Sequence, residues 1–486
     1  EMSASLVGSE MCIRDRDELV NNVPGNNLIN SLPKRKQGLA GRLSYAYDGK
    51  YMAEVNMGYN GSENFAKGHR WGFFPSIALG YNISEESFFE PLRKVITSMK
   101  LRGSWGLVGN DQIGGERFIY MPTINLSGKG FTTGIDQNYG LSGPVYTRYE
   151  NNSITWEVGE KINLGIDLQL LNSLNIVVDI FRETRRDIFQ KKGTIPTYLG
   201  TGNTDVFGNL AEMKNQGLDL SIDYNKAFSK DFYMNFKGTF TYAHNEITKY
   251  DEAPKYAFQS KVGQSANVSQ GYLSNGLFLD EAEIDRYNQQ MGSTLGAGDI
   301  KYLNVSNMHG YGDDIVDVDD WTWIGNPTVP EIVYGFGPSF KYKNWDFSFF
   351  FQGVAKTSLF MSGFHPFGDN SLRNVLQFVA NDRWSPTNQN VDAKYPRLTR
   401  KTSLNNTNPG NSGRTSDYWM RDGSFLKLKN MELGYTFKRM RFYISGSNLL
   451  TFSKFDLWDP EQGGGSGLKY PTQRVFNVGF QMTFNN

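Results

Sequence analysis

Apolar and polar residues alternate with a period of two along most of the chain, from about residue 37 to the end. In residues 51–60, Tyr51, Ala53, Val55, Met57 and Tyr59 fall on one face and Glu54, Asn56, Gly58 and Asn60 on the other. This predicts a half-buried strand, because successive strand side chains point to opposite faces. The pattern recurs as Leu218, Leu220, Ile222 and Tyr224 against Asp219, Ser221 and Asp223. It recurs again as Phe232, Met234, Phe236, Phe240 and Tyr242 against Asn235, Lys237, Thr239 and Thr241, and as Trp345, Phe347, Phe349 and Phe351 against Asp346, Ser348 and Gln352. Thirteen strands are predicted, at about 37–48, 51–60, 70–82, 96–108, 155–171, 174–188, 214–228, 232–248, 330–343, 345–358, 424–438, 440–455 and 471–485.

The apolar face is large and aromatic while the other is small or charged, which suits lipid outside and water or a plug inside. A soluble sandwich or propeller also alternates, so this feature alone leaves both open. Connection lengths separate them. Short turns (Asp48-Gly49-Lys50, 83–95, Asn172-Ser173, Ser229-Lys230-Asp231, Lys343-Asn344, Arg439) alternate with long excursions at about 61–69, 109–154, 189–213, 249–329, 359–423 and 456–470. Antiparallel strands send alternate connections to opposite ends, so the long ones gather on one side, as in outer-membrane barrels with short periplasmic turns and long extracellular loops. The expected fold is therefore all-β, a partial transmembrane antiparallel β-barrel with its C-terminus in the periplasm. The odd strand count leaves the first strand without a neighbour, as truncation of an even-stranded barrel would.

Composition adds limits. Lys plus Arg equals Asp plus Glu at 50 each, so no global field points to nucleic acid. No run approaches eighteen apolar residues, which excludes a membrane-spanning helix and leaves a barrel open. The single cysteine, Cys12, lies in Met11-Cys12-Ile13-Arg14-Asp15-Arg16. That stretch resembles one reading frame of a transposase adaptor end used in sequencing libraries. Residues 1–16 are thus expected to be translated adaptor, and 17–486 the C-terminal part of a larger barrel.

Several blocks carry a family resemblance. They are residues 70–81 (RWGFFPSIALGY) followed by Ser84-Glu85-Glu86, residues 101–110 (LRGSWGLVGN), Gly298-Asp299-Ile300-Lys301-Tyr302, Ile324-Gly325-Asn326-Pro327, and residues 383–388 (RWSPTN). Residues 422–430 (DGSFLKLKN), 447–452 (SNLLTF), Asp459-Pro460-Glu461, Tyr470-Pro471 and an aromatic last strand complete the series. In this order, across more than 400 residues, they resemble the SusC/RagA family of TonB-linked outer-membrane transporters. The resemblance implies a plugged barrel of about twenty-two strands, with about nine strands, the plug and the TonB-coupling segment outside this sequence. It also implies a SusD-like surface lipoprotein partner, contacted through loops 109–154, 249–329 and 359–423, and import of an oligosaccharide or peptide. By the same resemblance the aromatic last strand, with Phe476, Val478, Phe480, Met482 and Phe484 on its lipid face, doubles as an assembly signal. An adhesin or structural barrel is the alternative; a barrel-embedded enzyme is a weaker third reading.

Individual residues point less sharply. The acidic run 313–320 offers oxygen ligands for a hard cation, yet its spacing is not that of a calcium loop, and a turn-forming loop is the competing reading. Trp321, Trp323, Trp384, Trp419 and Trp458 lie in or near long loops, where they could stack on sugars or simply pack. Trp71 and Trp345 begin strands and suit an interface girdle. His69, His244, His309 and His365 match no metal-ligand spacing. No nucleophile elbow or phosphate loop is present, and 463–467 (GGGSG) reads as a flexible outer loop. No catalytic, cofactor, metal or substrate-contacting residue is assigned.

Overall fold

The computed structural model describes residues 2–7, 12–13, 35–113, 118–196, 198, 204–287, 289–290, 294–362, 375–398, 404–406 and 415–484. All thirteen predicted strands form. They are β1 (Arg35–Tyr47), β2 (Tyr51–Ser62), β3 (Trp71–Asn82), β4 (Ile96–Asn110), β5 (Glu157–Leu170), β6 (Leu174–Lys191), β7 (Phe207–Ala227), β8 (Phe232–Lys249), β9 (Ile332–Tyr342), β10 (Trp345–Ala355), β11 (Phe425–Phe437), β12 (Met440–Ser453) and β13 (Val475–Met482). Among the described residues, no helix is long and apolar enough to cross a membrane, which says nothing against strands doing so.

The chain divides into two compact units. The first holds residues 1–221, 243–253 and 261–264, and the second 222–242, 254–260 and 265–486. In the first, β1 to β6 pair antiparallel in chain order. In the second, β8 to β13 do the same. Tight turns join the hairpins where the alternation stops. Asp48 and Gly49 both take positive φ, as do Leu171 and Asn172, which is the backbone of a type I′ turn and matches strand twist.

Register lines up the two faces. In the first unit Tyr45, Ala53, Leu79, Gly103, Leu164 and Ile180 form one lateral row, and Leu43, Val55, Ile77, Trp105 and Ile162 the next. These side chains cover no core: Leu79 is 57% exposed and Leu164 62%. In the second unit Met234, Phe340, Phe347, Leu433, Ile444 and Val478 form such a row, with Val478 87% exposed. A continuous exposed apolar band on a sheet face needs an apolar solvent, and lipid supplies it. Aromatic residues flank the band at the short-turn end: Tyr51 stacks on Tyr81, and Trp345 lies 4.7 Å from Tyr435 between ring centres. At the long-loop end Trp71 stacks on Tyr59 at 4.8 Å, as a girdle residue should.

The cores lie in the long connections. In the first unit Phe65, Ile113, Ile119, Ile154 and Trp156 are buried together. In the second, Tyr272, Leu277, Ile300, Tyr302, Met361, Trp384 and Trp419 belong to a larger cluster. Three details depart from expectation. The 109–154 excursion contains a hairpin, Thr123–Thr133 with Tyr139–Arg148, whose register shifts three times and so leaves no clean alternation. β7 starts seven residues before its predicted start at 214, because Phe207 stacks on Phe189 and Ala211 is buried, contacts that follow the loop core instead of the lipid pattern. The first strand is also not left bare: Met2–Val7 pairs with residues 40–45, and Cys12–Ile13 with Arg35 and Lys36. An open strand edge is a template for any nearby segment, whatever its origin.

Candidate functional site

The polar face of each unit bears a groove. In the first it measures about 590 Å³, lined among others by Ser44, Glu54, Lys100, Arg102, Ser104 and Asn163. Arg42 donates to Glu54 at 2.5 Å, and Arg102 grips Asp167 at 2.7–3.0 Å and Asp179 at 3.0 Å. Gly165 makes room for that guanidinium: a Cβ there would fall 2.6 Å from Asp179 and 2.8 Å from Arg102. Lys100 lines the same groove and makes no ion pair among the described residues. In the second unit a groove of about 430 Å³ is lined by Asn235, Lys237, Ser339, Glu432, Ser445 and Asn477, among others. Arg441 pairs there with Asp346 and, at 2.6 Å, with Glu432. Gly434 plays the part of Gly165, since its Cβ would lie 2.6 Å from both Arg441 and Asp346. Hydrogen-bonding walls of this kind suit a hydrated lumen or a polar occupant.

The loop core of the second unit explains the sequence blocks. Gly298, at φ +84°, lies flat under Trp384, and a Cβ would come within 2.4 Å of the indole. Asp299, fully buried, accepts from Arg397 at 2.5 and 3.0 Å and from Asn406 at 2.8 Å. Lys427, 1% exposed at its side chain, donates to Asp459 at 2.6 Å and Glu461 at 2.8 Å, while Lys429 reaches Glu461 at 2.7 Å. Burial alone would raise Asp459 and Glu461, but Lys427 with the Glu461 amide and Thr472 outweighs it at Asp459, and Lys427 with Lys429 at Glu461, so both carboxyls stay below the usual range. The blocks at 298–302, 383–388, 422–430 and 459–461, distant in sequence, thus contribute to one loop architecture. None of those pairings shows in local periodicity.

The remaining candidates resolve differently. Trp419 is fully buried and Trp384 nearly so, which makes them packing residues and not sugar platforms. Trp458 packs edge-on against Phe455, and Trp323 donates to the Ser260 carbonyl. Trp321 alone of the five is substantially exposed. The acidic run forms turns. Asp320 accepts from the Ser306 and Asp317 amides, Asp313 from Asn304, and Asp319 pairs with Lys255. Burial raises the Asp320 carboxyl despite its two amides. Among the described residues no three His, Cys, Asp or Glu side chains group as metal ligands. His309 stacks on Phe258; His365 lies outside the described residues.

The TonB dependent receptor-like, beta-barrel family matches residues 13–449. TonB-dependent receptor P3 of Formosa agariphila is 27% identical over 91% of this chain and 45% of its own length. TonB-dependent receptor SusC of Bacteroides thetaiotaomicron is 28% identical over 91% of this chain and 43% of its own. The chain therefore spans about half the length of the curated relatives it matches. A structure of the RagAB peptide transporter superposes with a TM-score of 0.69 at 20% identity, covering 93% of this chain and 48% of that one, which shows a shared fold. The family is one of receptors and transporters, not of enzymes. With the two-faced sheet, the long loops on alternate connections and a family match over most of its residues, the chain belongs to the TonB-dependent receptors, as part of a SusC/RagA-like outer-membrane β-barrel.

Proposed function

We propose that this chain is the C-terminal barrel portion of an outer-membrane transporter that imports a nutrient such as an oligosaccharide or peptide, driven through TonB. The observation that carries the reading is the division of each unit into an exposed apolar face and a polar, ion-paired face with a groove. The long connections face the cell exterior and the C-terminus the periplasm. A SusD-like surface lipoprotein docks on the loop cores, and a plug with its TonB-coupling segment belongs to the part of the relatives that this chain does not cover. Residues 1–16 belong to an adaptor and not to the natural protein. The test is deletion of the complete gene in its host, followed by growth on single glycans and peptides. Loss of growth on one nutrient, restored by the intact gene and not by a form lacking the TonB-coupling segment, is the expected result. Unchanged uptake of every nutrient tried, with loss of surface adhesion, would contradict the reading.

A further inference from the structure

On β6 the apolar band of the first unit gives way to charge toward the long-loop end, as it does on the same face of β7, where Glu212, Lys214 and Gln216 precede Leu218 and Leu220. On the outward face of β6, Ile176, Val178 and Ile180 are followed by Arg182, Thr184 and Arg186, although Arg182 stands in the row of Leu43, Val55, Ile77, Trp105 and Ile162. The next rows place Glu160 beside Thr184 and Val158 beside Arg186. Trp105 donates its indole N–H to Glu160 at 2.8 Å, and Arg186 lies 3.9 Å from the other oxygen of that carboxylate. Glu160 is thus shared, while Arg182 is exposed with no ion pair among the described residues. On these two strands one anion between two arginines leaves a net positive, outward-facing patch, and the outward Glu212 and Lys214 of the neighbouring β7 cancel each other.

Depth decides what the patch meets. From Leu174, next to the short turn, to Arg182 is about 26 Å along a strand, or roughly 19 Å of height at the usual tilt, against an apolar band of about 25 Å. By that measure Arg182 lies about 6 Å inside the long-loop edge of the band and Arg186, four residues on, at the edge itself, and Trp105 is a residue type enriched near that level. An arginine there snorkels toward the interface, and its planar fork pairs well with phosphate oxygens.

We propose that Arg182 and Arg186 form a binding site for the phosphate groups of an outer-leaflet lipid, best matched by a glycolipid headgroup carrying more than one phosphate. The inference rests on the membrane orientation proposed above, but not on which nutrient is imported. Its test is lipid retention by the full-length protein, purified from outer membranes in mild detergent and offered bis-phosphorylated lipid A, its dephosphorylated form, phosphatidylglycerol or inorganic phosphate. R182Q/R186Q is expected to retain about tenfold less bis-phosphorylated lipid, with T184A, on the same face, unchanged and heat-modifiable gel mobility reporting a folded barrel for both. Arginine-dependent retention of phosphatidylglycerol as well would support the same phosphate chemistry with a broader source. Equal retention by wild type and double variant, an equal loss of dephosphorylated lipid, or displacement of the lipid by inorganic phosphate would overturn the proposal. Nutrient uptake, measured in parallel, reports on the transport reading separately.

Discussion

At the scale of single residues, the polar face depends on side chains that have no space to spare. Gly165 is small because Arg102 must cross over it to reach Asp167 and Asp179. Gly165→Val is expected to lower stability by about 1–3 kcal/mol through overpacking, measured as a fall in thermal midpoint. Lys427 is a stronger case, because removing one partner of a buried pair strands the other charges. Lys427→Met should cost about 3 kcal/mol, nearer the low end of such effects since Glu461 is a third exposed, and should speed proteolysis within 456–470. The same cluster sets a pH dependence. Asp459 and Glu461 have folded-state pKa values below their unfolded ones, so their contribution is complete above the unfolded carboxylate range, about pH 4, and is lost as pH falls through the lowered values. Protection from hydrogen exchange at 456–470, taken against the intrinsic rate at each pH, should therefore fall below about pH 4 in the wild type, and the fall should be smaller in Lys427→Met.

At the scale of elements, the strands were legible in the sequence and the loops were not. β2, β8 and β10 each bury none of the large apolar side chains of one face and carry mostly polar or small residues on the other, so alternation alone places them within a few residues. The loop core escaped because its contacts join distant residues: Asp299 meets Arg397, 98 residues away, and no window of sequence displays that pairing. The tryptophans show the same limit, since Trp419 and Trp321 look alike in sequence while one is fully buried and the other exposed. The groove residues were assigned no role, yet the signal existed in the polar positions of each strand, such as Glu54 and Lys237. Two-facedness also makes substitutions asymmetric. Leu164→Arg, on the outward face, is expected to destabilise the barrel by about 2–4 kcal/mol, whereas Ser104→Gln, exposed on the groove side, should stay within about 0.5 kcal/mol. Urea unfolding of the protein assembled in lipid vesicles compares the two.

At the scale of the whole molecule, the behaviour of the sheets follows from which solvent each face meets. The most direct measurement is spin-label accessibility in the full-length protein reconstituted in vesicles, with single cysteines introduced in turn at positions 161, 162, 163, 164 and 166 of β5, leaving out the crowded Gly165. Labels at 162, 164 and 166 are predicted to be reached readily by oxygen dissolved in lipid and poorly by a water-soluble nickel complex. Labels at 161 and 163 are predicted to show low oxygen accessibility. Equal shielding of all five from both reagents, as between two stacked sheets of a soluble body, would contradict a lipid-facing sheet.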